Sequence, residues 1–254
     1  VSITVLAIAG SAIRSADGVP QRLSGKALEY AQSREWNAGQ SKCMHLSTDK
    51  ALTKSCLVGG DPESGATKLF WGDSHAAALL PAIEGNTGRN VQPAWLYSLT
   101  GCPPIIEDRL RQQCKDFNKR NMERVISLGI KDVVLAANWS LYVYGREDGD
   151  GDRQFLLDRK DNPRQAEQRM AAGIKAQVSE LRAAGAQVWL FKEVPLQHKS
   201  FIDRLTSLAR IGRSAEGLGR PLQEHLARQQ FFTSLFSSMS AADSGVHVID
   251  PTPL

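Results

Sequence analysis

A chain of 254 residues, 42% hydrophobic and 23% charged, is long enough to bury a sizeable α/β core and too apolar for a fibrous or disordered protein. Its formal net charge of +4 is scattered among interleaved acids and bases, which excludes the basic stripe of a nucleic-acid binder. No CxxC or Cys/His zinc spacing occurs, and SGKAL at 24–28 lacks the upstream glycine and the Ser/Thr of a phosphate loop.

In chain order, VSITVLAIAGSAIR opens with an apolar run of about ten residues, short of the roughly twenty that span a bilayer. It has no initiator Met and no basic leader, so it is not an intact secretion signal. Two readings stay open for 1–15: a first buried strand, or the outer end of a transmembrane helix followed by the turn-rich SADGVPQRLSG. Residues 16–64 read as a polar linker and extension. The four cysteines fall as local pairs, Cys43 with Cys56 and Cys102 with Cys114. Three connectivities are possible; these two pairings close the shortest loops and favour an oxidising compartment.

From residue 65, short β-branched or aromatic runs alternate with amphipathic stretches. TKLFW precedes an Ala-rich helix at 75–84, VQPAWLYS a loop and a helix at 115–128, and KDVVLAA a long loop and a helix at 163–184. AQVWLF then precedes a helix at 221–238, and VHVID closes the pattern. The clearest helix is 163–184: Met170, Ile174, Val178 and Leu181 share one face, Pro163 follows Asn162 at its start, and Gly185 ends it. The alternation predicts one α/β domain over 65–254, a doubly wound, three-layer, flavodoxin-like arrangement with a parallel sheet of about five strands. Ligands gather at the carboxyl ends of such strands. That rule selects Asp73 and Ser74, Ser98 to Gly101, Asn138 to Ser140, Glu193 and Asp250.

Ser74 stands at a strand-to-helix turn and is followed by the small Ala76, Ala77 and Ala78. A serine hydroxyl attacks a carbonyl only when a base removes its proton and amides face the oxyanion; such a turn supplies free amides. The same residues fit a plain helix start capped by Asp73 or Ser74.

Four blocks, FWGDSHAA at 70–77, GCPP at 101–104, LAANWS at 135–140 and IDPTPL at 249–254, come in an order and spacing that resembles the SGNH domain fused to membrane acyltransferases of the acyltransferase-3 family. Those bacterial proteins add acetyl groups to surface polysaccharides and lipopolysaccharide. The resemblance covers about 65–254 and implies the SGNH hydrolase fold. It implies Ser74 as nucleophile and oxyanion amide, Gly101 as a second amide, the Asn138 side chain as a third donor, and Asp73 in support. The paired cysteines also look like this family. The implied setting is a periplasmic domain tethered to the bacterial inner membrane. Its partners would be the membrane acyltransferase domain, which brings the acyl group, and a glycan acceptor; no cofactor, metal or nucleic acid is implied for this domain.

Some local alternatives remain beside that reading. Gly101 also fits a turn before Cys102 and two prolines, and Asn138 a loop asparagine bonded to backbone. The family draws its Asp and His from an Asp-x-x-His block, and none occurs within these 254 residues; HVID at 247–250 has the order reversed. His247 reads as a strand histidine, His75 as pointing along its helix away from the hydroxyl, and His198 and His225 as unassigned. The expectation is a nucleophile pocket without the triad Asp and His, weak or inactive in this span. A free-standing carbohydrate esterase and a non-catalytic glycan-binding domain are the other readings.

Three further features carry less. Asp148, Asp150 and Asp152 alternate like a calcium loop, but Arg153 and Arg159 stand where Gly and Glu belong, so a solvated loop is expected. Asn138-Trp139-Ser140 matches a glycosylation sequon, for which a functional or turn role is preferred. Trp95 and Trp139, near strand ends, fit either core packing or stacking on sugar rings.

Overall fold

The computed structural model describes residues 3–15, 22–33, 43, 56–60, 65–85, 92–145, 162–197 and 200–252. Asp148, Asp150 and Asp152, and His198, lie outside them. The chain divides into two units, one of 1–36 with 197–221 and one of 37–196 with 222–254.

In the smaller unit, α1 (Ile3–Ser15) is a helix with no buried residue, which overturns the buried-strand reading of the apolar start. Its run ITVLAIAGSAI sets Val5 beside Leu6 and intersperses three alanines, good helix formers, so its apolar residues do not keep the strict alternation of a strand face. No helix among the described residues is long and apolar enough to cross a membrane. The unit also contains α2 (Gly25–Gln32), which buries Ala27.

The larger unit is a six-stranded sheet built from β1 (Cys56–Val58), β2 (Lys68–Gly72), β3 (Ala94–Ser98), β4 (Asp132–Ala136), β5 (Gln187–Phe191) and β6 (Val246–Ile249), in the order β1-β3-β2-β4-β5-β6. The last five are parallel, and their order follows the doubly wound pattern. The five expected parallel strands are all present, and β1, which pairs antiparallel with β3, adds a sixth at the edge. Three residues are too few to show periodicity, and Cys56 within β1 is tied by a disulfide to Cys43.

Strand residues alternate between two cores. Leu69, Trp71, Val133, Leu135, Val188 and Leu190 enter the larger one. There they meet α5 (Gln112–Ser127), α6 (Trp139–Tyr144), α7 (Pro163–Ala183) and α9 (Leu222–Ala242). Leu96 and Ala136 face the other side, with Val58, Ala76 and Leu80. Here α3 (Ser74–Ala78) and α4 (Leu80–Gly85) replace the single helix expected over 75–84. Pro81 has no N–H to give Ala77, so the ladder breaks at that point; Leu79 instead donates to the Ala76 carbonyl three residues back.

The helix read most clearly from sequence forms as α7. Asn162 and Gln165 make a reciprocal capping box, Pro163 occupies the first turn, and Met170, Ile174, Val178 and Leu181 are buried. Three helices escaped the sequence reading, α2, α6 and α8 (Phe201–Arg210); α2 and α6, at eight and six residues, are too short for their periods to stand out.

Candidate functional site

Sheet register aligns the carboxyl ends of the strands. Gly72 pairs with both Ser98 and Ala136, Ala136 with Phe191, and Phe191 with Ile249. Ser74 and Asn138 therefore each lie two residues beyond a paired strand end, and Gly101 three beyond its own. β2 is the strand whose neighbours β3 and β4 follow opposite winding directions, so Ser74 sits at the topological switch point where doubly wound folds bind ligands. Gly72 makes that approach possible. A Cβ there would lie 1.7 Å from the Ala136 carbonyl oxygen, so only glycine lets β2 and β4 come so close at this level.

Asp73 fastens the two strand ends together. It is buried, and its Oδ1 accepts from His75 N at 2.7 Å, capping α3. Oδ2 accepts from Asn138 N at 3.0 Å and from the Tyr142 hydroxyl at 2.7 Å. Burial pushes this carboxyl up, but His75 and the Tyr142 bond more than offset it and hold Asp73 below its ordinary value. Burial and the Asp73 charge push the Tyr142 phenol well up, so it remains a donor.

Asn138 is buried at the N-cap of α6, and its side chain makes no capping bond. The loop-asparagine alternative, in which that side chain bonds nearby backbone, is not what forms. Gly101 has φ +69° within a turn closed by Cys102 N donating to the Leu99 carbonyl at 3.0 Å, a conformation that favours glycine. The neighbouring Cys102–Cys114 disulfide ties this turn to α5, and Arg111 Nη2 donates to the Gly101 carbonyl at 3.3 Å.

Ser74 itself is half-buried, and its hydroxyl donates to none of the described residues. The His75 Nδ1 stands 3.4 Å from Asp73 Oδ1, with about a third of the side chain exposed. Burial pulls this imidazole down, and the adjoining Asp73 carboxylate, helped by Glu193, more than reverses that and raises it. His225 is buried, lowered by burial and the Lys192 charge, with Asp250 opposing. His247 lies 2.9 Å from Gln187 Oε1 and stacks on Trp189, in keeping with a strand histidine. Asp250 accepts from Lys192 Nζ at 2.6 Å; against the opposing effect of burial, Lys192 and Thr252 hold it at about 2. Trp139 is fully buried against Phe232 and Phe236, so core packing is the reading that holds there. Trp95 is half-buried and stacks on Tyr97.

A family model described as the SGNH domain fused to AT3 domains matches residues 42–254. The chain belongs to that family. No curated protein matches it. A solved structure from Bacteroides fragilis, provisionally named an acylhydrolase, aligns at 14% identity over 86% of this chain and 80% of that one, with a TM-score of 0.40; a likeness this distant carries no argument. Both cysteine pairs of this SGNH domain are bridged, Cys43–Cys56 and Cys102–Cys114. Among the described residues no group of His, Cys, Asp or Glu is arranged to hold a metal ion.

Two contributors to the site were not singled out from the sequence. Gly72 was hidden because a glycine before Asp-Ser reads as an ordinary turn residue, and its requirement arises from β4. Tyr142 was hidden in a segment read as loop, where nothing local points it at Asp73.

Proposed function

We propose that this SGNH domain accepts an acyl group on Ser74 and passes it to a sugar hydroxyl of a surface glycan. The observation that carries this reading is the lock between Asp73 and Asn138, which sets the candidate oxyanion donor beside the residue that follows Asp73, at the switch point of the sheet. In the first step the Ser74 oxygen bonds to the acyl carbon, its proton passes to a general base, which in the family is the histidine of an Asp-x-x-His block that does not occur within these 254 residues, and the carbonyl electron pair moves onto oxygen. The Ser74 and Gly101 amides, neither of which donates to a described residue, and the Asn138 side chain would face that oxyanion. Collapse expels the donor's leaving group with a proton. The sugar hydroxyl then repeats the attack, and Ser74 regains its hydrogen.

Family membership supports an acyl-transferring or hydrolytic enzyme. The AT3 fusion in the family description supports a membrane partner that brings the acyl group, and two disulfides support an extracytoplasmic setting. The chemistry calls for no cofactor in this domain. In the full protein, a fluorophosphonate probe mapped by mass spectrometry should modify Ser74 and fail on Ser74→Ala. In cells, Ser74→Ala in the full protein should abolish glycan acylation. Acyl release to water without transfer would favour an esterase, and unchanged acylation would overturn the catalytic reading in favour of a glycan-binding role.

A further inference from the structure

Glu193 is a buried carboxylate at the end of β5 that the proposed chemistry does not use. Its Oε1 accepts from Ser140 N, and its Oε2 accepts from the Ser140 hydroxyl at 2.8 Å and from Gln229 Nε2 on α9. Arg228 Nε donates to the same Ser140 hydroxyl at 3.0 Å, and Trp139 Nε1 donates to the Phe191 carbonyl at 2.9 Å. The first turn of α6 is thus held from β2 through Asp73 and from β5 through Glu193.

The bond to Ser140 N has a particular meaning. Asn138 is the N-cap of α6, so Ser140 is its second helical residue. An N-cap asparagine ordinarily turns its own oxygen inward to accept from the amide two or three residues on. Here Asn138 makes no such bond, because a carboxylate from another strand already occupies the amide of Ser140. We infer that Glu193 is a positioning residue: by capping α6 in place of Asn138, it releases the Asn138 side chain to serve Ser74. The inference rests on the reading of Asn138 as an oxyanion donor, and it predicts a definite rearrangement. Without Glu193, the Ser140 amide is a buried orphan, and the Asn138 side chain, at the N-cap two residues before it, is the group that helix geometry places to satisfy it. Its side chain then rotates inward to cap the helix and leaves the site.

The test is a crystal structure of Glu193→Ala, with Glu193→Leu as a second variant that keeps the volume filled. Asn138 Oδ1 should move to hydrogen-bonding distance of Ser140 N while Asn118, whose amide is fixed by Trp71, Pro103 and Ile105, stays in place. In the full protein, the fluorophosphonate labelling rate of Ser74 should fall by about 100- to 1,000-fold, the usual effect of losing one oxyanion donor. Adding Asn138→Ala to Glu193→Ala should then cost almost nothing further, since both remove the same donor. Glu193→Gln should restore most of the rate: it keeps an acceptor for Ser140 N, and the unpartnered Gln229 Oε1 can turn to meet the new amide. An Asn138 side chain unmoved in both variants, or additive losses in the double variant, would overturn the inference. Rotation of Asn138 in a protein whose Ser74 never labels would uphold the capping exchange and reject the acyl-transfer reading.

Discussion

Replacing Asp73 tests whether one carboxylate holds the two sides of the site together. Three donors converge on it: His75 N, Asn138 N and the Tyr142 hydroxyl, at 2.7, 3.0 and 2.7 Å. Asp73→Ala removes a helix cap, about 1 kcal/mol, and strands two donors in a buried setting at about 1–3 kcal/mol each. The sum, roughly 3–7 kcal/mol, is a large part of the stability of an ordinary domain. Asp73→Asn keeps one oxygen and can serve only one side, so it should lose about 1–3 kcal/mol. Urea titrations of the three proteins should place Asp73→Asn between the wild type and Asp73→Ala. The acid limb adds a second readout. Because the folded-state value of Asp73 is depressed, its stabilisation is complete above the unfolded value of about 3.9 and is lost as pH falls through the lower folded value. Asp73→Asn should flatten that limb. Equal midpoints for Asp73→Asn and wild type, with the same acid limb, would refute the idea that these bonds hold Asn138 in place.

Three other outcomes follow from the same geometry. Gly72→Ala should destabilise by about 3 kcal/mol or more in denaturant titration, because the Ala136 carbonyl 1.7 Å from the new Cβ belongs to a paired strand that cannot yield alone. Proton NMR should find the His75 imidazole titrating above its ordinary value and dropping in Asp73→Asn, where burial remains and the carboxylate is gone; its stabilisation is present below about 6.5 and lost as pH rises through the folded value. Removing the Cys102–Cys114 bridge, which spans a sequence separation of 12, by a Cys102→Ala/Cys114→Ala pair should cost about 3 kcal/mol in urea.

The parallel strands and the α7 helix were legible because their signals are local. TKLFW, KDVVLAA and AQVWLF are strand-forming within their own few residues, and α7 carries its start, stop and apolar face within one stretch. The β1 strand, α6 and the break between α3 and α4 were not read. β1 spans only three residues and α6 only six, while Pro81 interrupts a run whose composition looks uniformly helical.

The sequence by itself determined the order of the parallel strands and the longer helices between them, the bridged cysteine spacing, and the placement of Ser74, Asn138 and Glu193 just beyond strand ends. Tertiary structure decided what those residues do for one another. Asp73 reaches Asn138, 65 positions away, and Glu193 reaches Ser140, 53 positions away, only because parallel pairing sets the ends of β2, β4 and β5 at one level. A hydrogen bond is satisfied by proximity in space, and sequence periodicity reports a residue's face on its own element but not the partner waiting on the next.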